Sequence, residues 1–339
     1  MGIIKKTGFF VGAGIILIAA IELGARMAGL GNPLLFEASK EYGYRIKPDQ
    51  DIVRFGKRIT INDKGFRNGP VKDALDRGTT RILCIGDSLT NGGLATDQEA
   101  TYPRMLEKIL NENHPSDKYE VLNISAKGWA IANEANYIRK HGIYNSAIVI
   151  MLINDRDIAE EPVVLSDPGL EREYPVKRPA LALEEIAVSL KAKLKGPAGK
   201  TMTSKEWIEE IRRKAVSLGL PPDARETSVL FHERIRIFEN ELAGLQFTAR
   251  YANDHGAKFI AVYLDTPMPE RWGPGVEKNA SDMYKKTVID AGGLFIDITV
   301  PVKAAGYEKL FRDGIHLNEK GNRVIAETMA KEMGSQLKK

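Results

Sequence analysis

The sequence predicts an α/β protein built on a parallel sheet with helices on both faces, and two observations carry that expectation. Five short runs, 81–85, 120–124, 147–153, 258–264 and 294–298, are apolar, rich in β-branched residues and free of polar alternation. Strands covered on both faces read this way. Between the runs lie stretches of helical periodicity, and repeated strand–helix–strand order indicates parallel pairing. The chain has 339 residues, 43% hydrophobic and 28% charged. That suffices for one large domain or two small ones.

Each connecting element has its own signal. Thr101 stands before Met105, Leu106, Ile109 and Leu110, as the cap of a helix. Ile235, Phe238, Leu242, Leu245, Ala249 and Ala252 recur at steps of three and four, and a last helix is predicted over 318–333. Upstream, residues 31–75 read as a linker. It holds one small hairpin, Val53-Arg54-Phe55 and Ile59-Thr60-Ile61 around Gly56-Lys57-Arg58. The main domain is predicted over 76–339. It is interrupted at 156–225 by a proline-containing insertion, expected outside the sheet as a solvated surface element, with a lid or partner surface as the alternative.

Composition limits the function classes. A net charge of +4 from 49 basic and 45 acidic residues, with no basic stripe, speaks against nucleic acid as a partner. The one cysteine, Cys84, rules out an intrachain disulfide and a multi-cysteine zinc cluster, and its apolar run makes it a buried small side chain. Residues 1–30 read as a membrane anchor or signal. Lys5 and Lys6 precede an apolar run over 8–21, which extends to Leu30 if Glu22 and Arg26, four apart on one helix face, pair. A retained single-pass anchor and a cleaved signal stay open beside a buried helix. The first two put the rest of the chain outside the cytoplasm, in the periplasm of a Gram-negative cell.

Four motifs carry chemistry. The first strand runs into Gly86-Asp87-Ser88-Leu89-Thr90, and a serine past the end of a central parallel strand lies where open α/β sheets bind ligands. A serine hydroxyl needs a neighbouring base. His316, in Asp313-Gly314-Ile315-His316-Leu317-Asn318, is the best of five histidines. Asp313 can fold back onto one ring nitrogen and leave the other to take the serine proton. The plainer reading makes Asp313 a turn residue and Asn318 a helix cap. His114, His141, His232 and His255 read as surface or packing residues. Gly128 and Asn154 follow the second and third strands as donors for an oxyanion, or else as a loop glycine and a capping asparagine.

Taken in order, these blocks resemble the SGNH/GDSL hydrolase superfamily over residues 80–335. Gly86-Asp87-Ser88-Leu89-Thr90 matches the serine block, Gly128 the glycine block, Asn154-Asp155 the asparagine block and Asp313-Gly314-Ile315-His316 the histidine block. The piece Ile61-Asn62-Asp63-Lys64-Gly65-Phe66-Arg67 is similar to the segment before the nucleophile in membrane-anchored bacterial members. The resemblance implies a three-layer α/β/α flavodoxin-like fold and ester chemistry without metal or organic cofactor. It implies Ser88 as nucleophile, His316 as base and then acid, and Asp313 as its orienter. The oxyanion hole would be the Ser88 and Gly128 N–H groups and the Asn154 side chain. One departure is Ile153, where the family usually has glycine; an isoleucine there could narrow the pocket or alter the approach to Asn154. The expected activity is hydrolysis of a carbohydrate O-acetyl ester on a surface or exported polysaccharide. O-acyl transfer, lysophospholipase or thioesterase activity, and a binding protein on a degenerate hydrolase fold stand as alternatives.

Overall fold

The computed structural model describes residues 2–160, 162, 174–194, 229–267 and 279–337. In chain order its elements are α1 (Gly2–Met27), β1 (Phe36–Ser39), β2 (Gly43–Ile46), β3 (Gln50–Arg54), β4 (Lys57–Ile61), β5 (Thr79–Gly86), α2 (Ser88–Asn91), α3 (Tyr102–Asn113) and β6 (Lys118–Ser125). They continue with α4 (Ile131–His141), β7 (Ile148–Asn154), α5 (Ala182–Leu194), α6 (Val229–Asp254), β8 (Lys258–Leu264), α7 (Ala280–Asp290), β9 (Leu294–Asp297), α8 (Thr299–Ala304) and α9 (Glu319–Leu337). The chain forms two compact units. One comprises residues 1–33, 52–56 and 177–235, and the other residues 34–51, 57–176 and 236–339.

In the smaller unit the expected pair forms, with Arg26 Nε 2.6 Å from Glu22 Oε1. The Glu22 carboxylate also accepts the Ala182 and Leu183 N–H groups at 2.9 and 3.0 Å, and so satisfies the start of α5. Buried Arg54 pairs with Glu185 and donates to Gly29 O at 2.9 Å. Gly29 has φ +87°, and a Cβ there would meet Val53 O at 2.1 Å, so only glycine fits that turn. No helix among the described residues is long and apolar enough to cross a membrane, so the expected spanning helix is not found there. The side chains of residues 1–8 and 11 lie outside the description. Phe9, Phe10, Ile15, Ile16, Leu17 and Ile18 of α1 are exposed.

The larger unit carries a five-stranded sheet in the order β6-β5-β7-β8-β9, every neighbour parallel. Each strand falls within two residues of its predicted run. Order 2-1-3-4-5 is the flavodoxin-like winding, whose strand sequence reverses between β5 and β7. Side chains alternate across the sheet. Ile82, Cys84, Val121, Ile150, Val262 and Ile296 face a core shared with Leu106 and Leu110 of α3, Val302 of α8 and Ile325 and Met329 of α9. The intervening Leu83, Ile85, Leu122, Met151, Ala261 and Tyr263 are equally buried, with Tyr263 against Tyr284 of α7. Helices therefore cover both faces, as predicted. Cys84 is fully buried, and burial pushes its thiol pKa up.

Two expectations need correcting in detail. Thr101 precedes α3, but its hydroxyl donates to Gln98 O at 3.3 Å instead of capping. The orphan Tyr102 N–H of α3 is met by Asn322 Oδ1 of α9 at 2.9 Å. The segment 31–75 holds the expected hairpin as β3 and β4, and a further antiparallel hairpin, β1 with β2, that the sequence did not announce. The described part of the insertion, 156–160, 162 and 174–194, contains α5 and no strand, and its remainder to 225 lies outside the described residues.

Leu106 is fully buried in the core between α3 and the sheet. Leu106→Ala is expected to lower unfolding stability by about 2–5 kcal/mol in a denaturant titration. An unchanged midpoint would mean that α3 does not pack there.

Candidate active site

The site is built where the strand order reverses. Ile85 of β5 pairs with Met151 of β7, and Gly86 pairs with Ser125 of β6. Counting on from those registers, Ser88, Asn154 and Gly128 all lie at the C-terminal edge of the sheet. Gly86 ends β5 because Thr90 folds back over it, and a Cβ at Gly86 would meet Thr90 Oγ1 at 2.1 Å. Asp87 caps the single turn of α2, its Oδ1 accepting the Leu89 N–H at 2.8 Å. Burial pushes the Asp87 pKa up against the pull of that N–H and of His316.

Ser88 Oγ lies 3.1 Å from His316 Nε2, across 228 residues of sequence. His316 Nδ1 lies 2.9 Å from Asp313 Oδ2. Asp313 Oδ1 also accepts the His316 and Ile315 N–H groups at 2.7 and 3.0 Å. Partial burial works to raise the Asp313 pKa, but those two N–H groups and the ring outweigh it and hold the carboxyl below the usual range. Asn318 Oδ1 accepts the Gly321 N–H at 2.9 Å and opens α9. Thus the turn, the cap and the ring partner are all present in one loop.

Gly128 has φ +78°, the left-handed conformation that favours glycine. Its loop is held by aromatic side chains. The Tyr44 hydroxyl and, at 3.3 Å, the Tyr174 hydroxyl both donate to Lys127 O. Trp129 Nε1 donates to Tyr44 O at 2.9 Å. Hairpin β1–β2 is thereby a buttress of this loop.

Asn154 is buried at the end of β7, its Oδ1 accepting the Arg156 N–H at 2.9 Å. Its Nδ2 donates to Asp157 Oδ1 at 2.6 Å, and its own N–H donates to Asp157 Oδ2 at 2.8 Å. The side chain of Ile153 does not share the sheet face of Asn154. It pairs with Tyr263 and is fully buried on the sheet face opposite Leu152 and Asn154.

Sequence reasoning missed several supports. Asp157 is one; its spacing of three from Asn154 was the available signal. Burial pushes its carboxyl pKa well up, with buried Asp87 adding to the effect. Arg67, the last residue of the upstream motif, is another. Its guanidinium donates to Asn91 O, to Gly93 O at 2.8 Å and to Thr96 O at 2.6 Å, fixing the loop after α2. Burial lowers its pKa to about 10. Arg312 donates to Thr96 Oγ1 of the same loop at 3.2 Å. His141 and His255 pack on Tyr137 and Tyr251, as packing residues should. The His232 side chain lies outside the described residues.

Gly86→Ala is expected to cost about 1–3 kcal/mol of stability, because the methyl has nowhere to go beneath Thr90. A thermal melt equal to wild type would show that α2 yields freely.

No family model and no curated protein matches the sequence. Among solved structures, an acetylxylan esterase from Geobacillus stearothermophilus is 13% identical, covering 75% of this chain and 94% of its own, with a TM-score of 0.45. A protein described as a GDSL-like lipase from Parabacteroides merdae is 12% identical over 78% of this chain and 99% of its own, with a TM-score of 0.45. An alpha/beta hydrolase enzyme from the metagenome of Lake Arreo is 14% identical over 75% of this chain and 95% of its own, with a TM-score of 0.44.

Proposed function

We propose that the protein is a serine ester hydrolase with the SGNH/GDSL arrangement, working through an acyl-Ser88 intermediate. The observation that carries the reading is the hydrogen-bonded series Ser88 Oγ, His316 Nε2, His316 Nδ1 and Asp313 Oδ2, with steps of 3.1 and 2.9 Å. A hydroxyl is a weak nucleophile on its own, and here a ring nitrogen stands within reach of its proton. Asp313, held ionised by its low pKa, fixes the ring with Nδ1 protonated and Nε2 free.

As Ser88 Oγ bonds to the acyl carbon, its proton passes to His316 Nε2 and the carbonyl electron pair moves onto oxygen. The Ser88 N–H, the Gly128 N–H and the Asn154 Nδ2 hydrogen not engaged by Asp157 supply donors for that oxyanion. When the ester C–O bond breaks, His316 gives the proton to the leaving alcohol. Water then attacks the acyl-Ser88, giving its proton to His316, and the free acid leaves as Ser88 recovers its proton.

For substrate we propose an O-acetyl ester on a surface or exported carbohydrate. This choice goes with placement of the site outside the cytoplasm, which we propose α1 provides by attachment to a membrane. The exposed Phe9, Phe10 and Ile15–Ile18 stretch, behind Lys5 and Lys6, supports attachment. Recovery of the full chain in the soluble fraction would count against it.

Ser88→Ala is expected to abolish release of acid from p-nitrophenyl acetate and labelling by a fluorophosphonate probe while the melting temperature is kept. Turnover near wild type would remove Ser88 from the mechanism. Asn154→Ala is expected to lower kcat about 10²–10³-fold, the usual effect of deleting one oxyanion donor. In a screen of acetylated polysaccharides, acetate release that depends on Ser88 is the expected result. Release confined to long-chain acyl esters would instead assign the site to lipid.

A further inference from the structure

An asparagine that serves an oxyanion must present nitrogen, not oxygen. The two ends of a carboxamide are nearly equal in size, so shape alone does not choose between them. Here the choice is made by neighbours. Asp157, buried in the turn after β7, accepts the Asn154 backbone N–H on Oδ2 and an Asn154 side-chain hydrogen on Oδ1, at 2.8 and 2.6 Å. The Arg156 N–H occupies Asn154 Oδ1 at 2.9 Å. The amide is thus gripped at both ends, by an acceptor on nitrogen and a donor on oxygen.

We propose that Asp157 is a positioning residue that sets the orientation of the Asn154 carboxamide, so that its second Nδ2 hydrogen faces the reacting oxygen. The proposal rests on the hydrolase reading above and deepens it. Both carboxylate oxygens are needed, one for the backbone and one for the side chain. An amide at 157 keeps one acceptor and adds a donor. It must then set N–H against N–H at one of the two contacts, or let Asn154 turn over. Turned over, Asn154 aims a lone pair at the developing negative charge, and a stabilising contact becomes a repulsive one.

The test uses the full chain with Asp157→Asn, Asn154→Ala and the double variant. The readouts are kcat and KM for p-nitrophenyl acetate and the rate of fluorophosphonate labelling of Ser88. The expected result is a fall in kcat of about 10²–10³-fold for Asp157→Asn, matching loss of the donor, with KM little changed. In the Asn154→Ala background, Asp157→Asn should then cost nothing more. A wild-type kcat in Asp157→Asn, or losses that multiply in the double variant, would overturn the proposal. If Asp157→Asn melts early, Asp157→Ser is carried through the same cycle and judged by the same two criteria. Turnover that survives Ser88→Ala defeats the hydrolase reading itself. Turnover that needs Ser88 but ignores Asp157 defeats only this inference.

Discussion

The parallel pairing of β5 with β7 is the constraint on which the rest depends. Its register, Ile85 against Met151, lies at the point where the strand order reverses. Chain segments leaving a parallel sheet on the two sides of such a point diverge to opposite faces and leave a crevice between them. Ser88 and Asn154 stand at the rim of that crevice because each lies three residues beyond the paired Ile85 and Met151. A slip of one residue would turn every side chain of β7 to the other face. It would bury Asn154 among the helices and bring Ile153 to the edge.

Much of this was legible in the sequence because buried parallel strands have a simple signature. The runs around Ile82, Val149 and Ile260 are apolar on both parities. Motifs at strand ends could therefore be placed by counting, without knowing any contact. The supports were less legible, for physical reasons. The β1–β2 hairpin has strands of four residues, too short for alternation to stand out. Its work is done by Tyr44, whose hydroxyl and carbonyl act 83 and 85 residues away. Thr101 looked like a cap because caps are local signals, yet the acceptor for α3 comes from Asn322.

Buried charge in this protein is arranged around backbone. Asp87, Asp157 and Asp313 each accept N–H groups from residues two or three positions away, and each shapes the turn that bears a residue of the proposed machinery. The first two are buried, so the low dielectric that makes their ionisation costly also strengthens the hydrogen bonds they accept. Arg67 supplies the converse, a buried cation spread over three carbonyls of the loop after Ser88. Geometry at the rim is thus held by side chain-to-backbone bonds instead of by packing alone.

The start of α4 shows how late that geometry can be completed. Ala130 stands at its N-cap without a side-chain oxygen, and the Ala132 N–H is met at 3.1 Å by Glu241 Oε2 from α6, 109 residues on. Gly244, one turn further along α6, permits the approach, since a Cβ there would come within 3.3 Å of the Ala132 Cα. The segment after Gly128 consequently lacks its terminal acceptor until a helix from the second half of the polypeptide has docked. During synthesis, the ribosome must deliver residue 241 before the loop beside the nucleophile can settle, so a nascent chain halted earlier would expose the serine with its surroundings incomplete.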